Sequence, residues 1–483
     1  MFKALVAISV ASTVAVGAAP AKPKARFDVS TATPRAGSLV TFTAKRGTCK
    51  KCRFRWHVVS AGKRRVLRKL GSGQVLRTRF DASGAKVIRL TAISRSGHKY
   101  RKYKLLRVQQ RTGAPGAGTP LSPLGQPACV PGATPVTSAG QLLSVLRGGA
   151  NACVTSNVGN VSLTNFSGPR HLGTTGAGAI GEIELNGVSG LTLQARFRSI
   201  TIRRATGITI TQSIIGGTPS ARIDDQLIFL PDGSDDVSIR DSDIGWTTAD
   251  SSGNTGYGLR VYEGADRLRV ERNRFHHIAA DGIQLGMSGA DALIDRNEFA
   301  YIAPPESSNE HADDIQVVAN GPNLRITNNY LHHNGFFDAG GPRTGGSGPY
   351  IHAGNANPIV FENNLVRDEL NFMQVGNLGT GGCTRSNLTF RRNTFFNNGL
   401  LFGSGSPDMY WRLCGGSNNV YERNVVNNNF AIERPFAASG TAASNNLNGS
   451  GYAIDGAGNC TSAACNPAGA EPIGFRKPAG VHW

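Results

Sequence analysis

The chain has 483 residues, 61 of them glycine, 39% hydrophobic residues and a formal net charge of +20. That length allows two or three domains with a large core. Glycine at this level without a collagen period excludes a fibrous chain and points to many tight turns, hence to a turn-rich β protein.

The first stretch, MFKALVAISVASTVAVGAAPA, reads as an export signal over residues 1–21. Lys3 supplies the positive end, Ala4 to Val16 the apolar part, and Ala19-Pro20-Ala21 the small-residue cleavage site. An uncleaved anchor is the alternative, and either reading puts the rest of the chain outside the cytosol, secreted or at the cell surface. No later stretch is apolar enough for a transmembrane segment. Eight cysteines fit an oxidising compartment and fall into sequence-near pairs: Cys49/Cys52, Cys129/Cys153, Cys383/Cys414 and Cys460/Cys465. Cys49-Lys50-Lys51-Cys52 lacks a second Cys/His pair nearby, which favours a small disulfide over a zinc or redox site.

Residues 22–111 are predicted to form a small β-sandwich. PRAGSLVTFTA, CRFRWHVV, VLRTRFDASGAKVIRLTAIS and YRKYKLLRVQ alternate in polarity between Gly-rich turns. Phe42, Phe54, Trp56, Phe80 and Leu90 are its candidate core. Their order, a Pro-x-x-Gly strand, a Trp strand, then Gly-Ala-Lys-Val-Ile-Arg-Leu-Thr-Ala, resembles PKD-like and immunoglobulin-like modules appended to bacterial exported proteins, although the usual Asp-Gly turn after the Trp strand is missing. Residues 1–111 hold 27 Lys and Arg against two acids, Asp28 and Asp81, a net +25; residues 112–483 hold 25 against 30, a net −5. The basic character therefore belongs to the N-terminal segment. Arg53, Arg55, Arg77, Arg79, Arg101 and Lys104 alternate with apolar residues, which puts charge on one solvated face. Such a face suits an anionic cell-wall polymer, acidic polysaccharide or nucleic acid; a merely solubilising surface is the plain alternative.

Residues 112–127, TGAPGAGTPLSPLGQP, are a Gly/Pro-rich linker. From 128 to 483 an imperfect repeat dominates. Its unit is apolar-x-x-Asn-x-apolar, with Asn at 273, 297, 329, 364, 393 and 424, and Ser213 and Ser242 in register before them; the spacings run from 24 to 35 residues. A second unit interleaves: LIFL, GLRV, GIQL, DIQV, YIHA and FMQV. Two short strands per repeat predict a solenoid, and the alternation within GIQL and DIQV predicts a right-handed parallel β-helix. Asn is expected at tight left-handed corners, with its amides stacked from coil to coil. A propeller is the structural alternative but needs about four strands per blade. The fold class expected is thus all-β. The tail after Ala453, with Cys460 and Cys465, is expected to cap the open end of the solenoid.

LRVERNRFHHIAADGIQL, ALIDRNEFAYI and LRITNNYLHHNG resemble the coils of the pectate-lyase-like, right-handed β-helix superfamily, over roughly residues 135–450. That resemblance implies the fold. It also implies a range of functions, from lyases, hydrolases and epimerases of polysaccharides to non-enzymatic surface proteins.

In such a fold equivalent residues of successive coils stack about 4.8 Å apart. The second unit then lines up an outward column of Phe229, Arg260, Gln284, Gln316, His352 and Gln374. Just before these strands lie Asp224, Asp225, Asp281, Asp313, Asp314 and Asn371, flanked by Glu310, His311, His276 and His277. Such a strip suits an extended sugar chain, with Gln284, Gln316, His352, Gln374, Tyr350 and the loop residue Arg343 as substrate contacts. Three readings stand. A polysaccharide lyase needs a base and a neutralised carboxylate. Members of the superfamily that work this way use Arg or Lys, often with calcium held by acids. The β-helix region has one lysine, Lys477, so Arg260, His311 or His352 would be the base, with Glu310, Asp313 and Asp314 on Ca2+. A glycosidase would pair Asp281 with Asp313 or Asp314. Asp313-Asp314 resembles the acid pair of β-helix galacturonases, but nothing matches their Gly-His-Gly turn or Arg-x-Lys strand. The third reading is a non-catalytic glycan-binding or surface-display protein, with these side chains as corner residues; on each reading the chain is expected to be a monomer. His276-His277 and His332-His333 read as a repeated turn rather than a metal pair, and Trp246, Tyr257, Tyr262, Tyr350 and Phe372 are candidate sugar platforms.

Overall fold

The computed structural model describes residues 25–31, 34, 39–45, 52–59, 66–80, 84–108, 124–216, 226–245, 256–302, 312–334, 336–337, 341–342, 346–352, 357–367, 369, 374–375, 386–396, 417–427, 441–444, 446–449, 453–455, 457, 459–467 and 471–483. The expected export signal and residues 112–123 of the expected linker lie outside them. The chain divides into two compact units, residues 1–112 and 113–483.

The described residues of the N-terminal unit form seven strands: β1 (Phe27–Val29), β2 (Leu39–Ala44), β3 (Arg53–Val59), β4 (Val66–Ser72), β5 (Val75–Arg79), β6 (Gly84–Ile93) and β7 (Lys99–Val108). They form two antiparallel sheets, β1-β2-β5 and β4-β3-β6-β7. Alternation sends Phe42, Trp56, Ile88 and Leu90 into the core, where each is fully buried. The Trp56 ring meets Phe27 edge-on at 5.1 Å, and its Nε1 donates to Gly73 O at 2.9 Å. Phe80 is buried and Phe54 packs at the edge of this cluster, as the alternation predicts.

The second unit is a three-walled parallel β-helix. The first wall is a 13-stranded sheet of the segments before each corner Asn or Ser, such as Arg269–Glu271, Leu293–Asp295 and Leu324–Thr327. The second and third walls form one 18-stranded sheet. Arg196–Arg203 joins them: its Phe197 pairs with Ile215 of the second wall, its Ile200 with Ile228 of the third. The second wall contains Arg274–His276, Glu298–Ala300 and Tyr330–His332; the third contains Tyr257–Val261, Ile283–Leu285, Ile315–Val317 and Tyr350–Ile351. Each repeat therefore carries three strands, one more than the sequence pattern suggests. The extra one is the Asn-x-apolar segment itself, which leaves the corner as a strand of its own.

The corner chemistry also differs from expectation. The left-handed residue is the one before the Asn: Asp241, Arg272, Arg296, Asn328, Asn363, Arg392 and Arg423 have φ between 52° and 58°. The Asn points inward instead. Asn297 Oδ1 accepts from the Asn273 backbone N–H at 2.9 Å and from Asn273 Nδ2 at 3.0 Å, while Asn297 Nδ2 donates to Val270 O at 2.8 Å and to Asn329 Oδ1 at 3.0 Å. The same set repeats through Asn364, Asn393, Asn424 and Asn446. The stacked amides were legible; what they do is satisfy corner N–H groups that burial would otherwise orphan. Inside the cylinder, Phe275 and Phe299 stack at 5.0 Å and 6°.

The helix Ala139–Arg147, capped by Ser138, buries Leu142 and Leu146 against the first coils. Cys129–Cys153 and Cys460–Cys465 are disulfides, and Cys52 is disulfide-bonded; Cys49, Cys383 and Cys414 lie outside the described residues. Among the described residues no helix is long and apolar enough to cross a membrane.

The tail does more than cap an end. Phe475 N–H donates to Thr394 Oγ1, Arg476 exchanges hydrogen bonds with Asn363, His482 reaches Glu298 at 3.2 Å, and the Trp483 ring lies 5.1 Å from Tyr330. It runs back along the second wall. At the other end of that wall the Leu124 backbone N–H reaches Asp243.

Candidate functional site

Both ends of the second wall are covered by chain, and the first wall is occupied with its own ion pairs. The third wall holds the residues the sequence singles out. Register places Phe229, Arg260, Gln284, Gln316, Tyr350 and Gln374 in one column. The column position in the fifth strand is thus Tyr350, two residues before the expected His352. His352 stays on the same wall, its ring stacked on Tyr350 at 4.0 Å. The Gln374 side chain lies outside the described residues.

Gln284 Nε2 donates to Gln316 Oε1 at 2.5 Å and to Asp281 Oδ2 at 3.0 Å. Asp281 Oδ1 accepts from the Asp313 backbone N–H at 2.9 Å. Asp281 and Asp313 therefore sit at matching positions of adjacent coils, both buried. The phenol of Tyr350 is pushed above its ordinary value by burial and by the Asp313 charge, so it stays a proton donor across the neutral range. Arg260 lies between two rings, 4.5 Å from the Tyr257 centroid and 5.4 Å from that of Tyr262. Its Nε has no hydrogen-bond partner among the described residues.

Asp314 is separated from this group by one residue and by direction. The ladder aligns it with Gly258 and Gly282 of the two preceding coils, because Leu259 N donates to Gly282 O and Ile283 N to Asp314 O. A Cβ at Gly282 would lie 2.6 Å from Ile302 Cδ1, inside the cylinder. In the next coil that isoleucine position is Asn334, whose Oδ1 accepts from Ile302 N and whose Nδ2 donates to Glu369. Asp314 fills the space with its carboxyl against Asn334 and no solvent exposure. Burial, then the charges of Asp313 and Asp281, hold its proton well above the ordinary carboxylate range.

Glu310, His311, Arg343, Asp224, Asp225, Asn371, Trp246 and Phe372 lie outside the described residues. Among the described residues no three His, Cys, Asp or Glu side chains are placed to hold a metal ion. Of the three acids expected on calcium, Asp313 and Asp314 are buried, and Glu310 lies outside the described residues.

The histidine pairs form a corner element. His277, Tyr301 and His333 share left-handed φ of 53°, 58° and 58°, and the His277 and Tyr301 rings stack at 5.2 Å. His276 Nε2 pairs with Asp243 and His332 Nε2 with Glu298.

Residues 198–395 match a family model for a right handed beta helix region. The match covers the coils that carry Arg260, Asp281, Asp313 and Asp314, and gives the cylinder its hand. No curated protein matches the chain.

Sequence reasoning missed the Asp314–Asn334 pair, although its signal was present: His-His-Ile and Ala-Tyr-Ile become His-His-Asn in the same coil in which Gly-Ile-Gln becomes Asp-Ile-Gln. It also missed the buried Arg274–Glu298 pair, 2.8 Å long, under the tail.

Proposed function

We propose that the protein is exported and binds an acidic polysaccharide along the third wall of its β-helix, with Arg260 taking a sugar carboxylate. The observation that carries this reading is the state of that guanidinium. Arg203, Arg267, Arg272, Arg296 and Arg392 of the same cylinder each pair with an acid. Arg260 is half-buried between two tyrosines with no such partner among the described residues. A cation so placed favours an incoming anion, and a planar guanidinium takes a carboxylate through two parallel bonds. The flanking rings and Phe229 offer stacking surface for sugar faces, and the half-buried Gln284 offers an amide in the next coil, whereas Gln316 is buried and accepts from Gln284 Nε2.

A second reading, cleavage, rests on Asp281 and Asp313. Rungs about 4.8 Å apart bring their carboxyls near the roughly 5–5.5 Å used for retaining glycoside hydrolysis. The N-terminal unit, with its resemblance to modules of exported proteins, serves as an anchor on anionic polymer. Calorimetry of the full chain with polygalacturonate, alginate and a glycosaminoglycan, in calcium and in EDTA, tests the binding. Saturable binding that weakens tenfold or more in Arg260→Ala is expected; equal affinity of the variant, or preference for a neutral glycan, ends the proposal. In the same samples a lyase raises absorbance near 235 nm and reducing ends, a hydrolase raises only reducing ends, and a binder raises neither.

A further inference from the structure

The N-terminal unit concentrates its charge on one of its two sheets. In the four-stranded sheet Trp56 and Leu90 pair and face the core, so their neighbours face outward. One outward row runs Lys69, His57, Arg89, Tyr103 across β4, β3, β6 and β7; the next runs Ser72, Arg55, Thr91, Arg101; Arg53, Ile93 and Lys99 follow. Seven cationic side chains and a histidine-bearing row thus share one face: Arg53, Arg55, Lys69, Arg89, Lys99, Arg101 and, further along β7, Arg107. No acid lies on these four strands. Of the two acids of the segment, Asp28 pairs with Lys45 at 3.0 Å beside the other sheet, and Asp81 lies outside the described residues. The field is felt at His57, whose pKa is lowered from its ordinary value by burial and by Arg89, Arg55 and Lys69.

We infer that the outward face of the β4-β3-β6-β7 sheet is a docking surface for a linear acidic polysaccharide. This rests on the reading that the N-terminal unit anchors on anionic polymer, and deepens it by placing the contact on one face of one sheet and naming the polymer class. Same-face residues lie about 6.6 Å apart along a strand and about 4.8 Å across strands, so an extended polyanion meets cations at intervals in either direction. Nucleic acid fits less well. A single strand wants several aromatic platforms, whereas Tyr103 is the one aromatic side chain besides His57 in these outward rows. A bound anion favours protonated His57, so binding tightens as pH falls through the range where the ring takes up its proton, which burial and the neighbouring cations set below the ordinary histidine value. The groups facing it are Arg55 on its own strand, Lys69 on β4, Arg89 on β6 and Tyr103 beyond it.

The test uses the full chain carrying Arg260→Ala, which removes the third-wall contribution, on immobilised polygalacturonate. Arg55→Glu with Arg101→Glu should weaken retention at least tenfold at low salt, and Arg26→Glu with Arg77→Glu, an equal charge change away from this face, less than threefold. Arg101→Gln alone should give an intermediate loss with an unchanged thermal midpoint. His57→Gln should remove the tightening at acid pH. Equal losses for the two double variants, or single-stranded DNA binding as tightly through the same residues, overturn the inference. If the face variants bind normally while Arg260→Ala in the otherwise native chain loses affinity, this inference falls and the third-wall site stands.

Discussion

The first and third walls of the cylinder both carry rows of carboxylates, and they treat them in opposite ways. On the first wall the acids are matched by arginines, singly or in small networks. Arg272 grips Asp241 with bonds of 2.6 and 2.8 Å, Arg392 meets Glu362 at 2.5 Å, and Arg391 bridges Glu422 and Glu471. On the third wall Asp281 and Asp313 are buried among amides and a tyrosine, Asp314 turns inward, and the cation of the column, Arg260, lies on rings with no acid partner among the described residues. The first arrangement is what a solenoid needs to hold its coils in register. The second costs stability in desolvation, and a fold keeps such costs where a ligand or a reaction recovers them. The difference separates scaffold from proposed site more sharply than the count of acids does.

The largest effect should come from breaking the inward acid's niche. Asn334→Ile restores the residue found at Ile278 and Ile302, yet it strips hydrogen bonds from the Ile302 N–H and the buried Glu369 and sets a branched side chain against the Asp314 carboxyl. A loss of about 3 kcal/mol is expected, the range for stranding a buried polar group with overpacking. Asp314→Gly in the same chain should recover the overpacking part of it, because the pair then repeats Gly282–Ile302, while Ile302 N–H and Glu369 stay without Asn334. Urea unfolding of the two single variants and the double variant measures this coupling, expected at about 1–3 kcal/mol. Additive losses would mean that the two side chains do not share a cavity.

A smaller effect follows from the proton on Asp314. Its folded pKa is raised above the ordinary 3.8 by burial and by neighbouring carboxylates. The folded state therefore holds the proton more tightly than the unfolded state does. Its contribution is complete below the unfolded value and is lost as pH rises through the folded value, with a slope of at most one proton, about 1.4 kcal/mol per pH unit. Asp314→Asn keeps the shape of the protonated acid and has no proton to lose. Stability of the native chain should decline from acid toward neutral pH relative to the variant, and the two curves should converge at low pH. Parallel curves across the range would show that Asp314 titrates normally.

These two variants also mark how far the sequence was readable. The repeat of Asn and its spacing made the solenoid legible, because a stacked amide leaves the same letter in every coil. The outward column was legible from alternation, apart from His352, which a two-residue offset in YIHA put where Tyr350 stands. The inward turn of Asp314 was hidden because alternation fails at a corner, where direction depends on which neighbour leaves space. The third strand of each repeat was hidden as well. It is only three residues long, and its left-handed entry residue is an Arg, Asp or Asn with no distinctive letter. The tail's path along the second wall depends on contacts across 184 residues, such as His482 to Glu298, which no local pattern announces.

The smallest effect tests the wall taken here as scaffold. Arg272→Ala removes a two-bonded pair whose side chains keep about a quarter to a third of their exposure, 26% for the arginine and 33% for Asp241. Solvent screens such a pair, so the expected loss is about 0.5–1 kcal/mol, near the upper end for surface ion pairs. It should shrink when salt is raised toward 1 M, where charges are screened within about 3 Å. Polysaccharide affinity should not change, because the pair lies on a different wall from Arg260. Thermal unfolding at low and high salt, beside calorimetric binding, reads both quantities on one variant. A tenfold fall in affinity here would move the sugar track to the first wall, since a pair that serves only to align coils has no means of weakening a ligand held by another face.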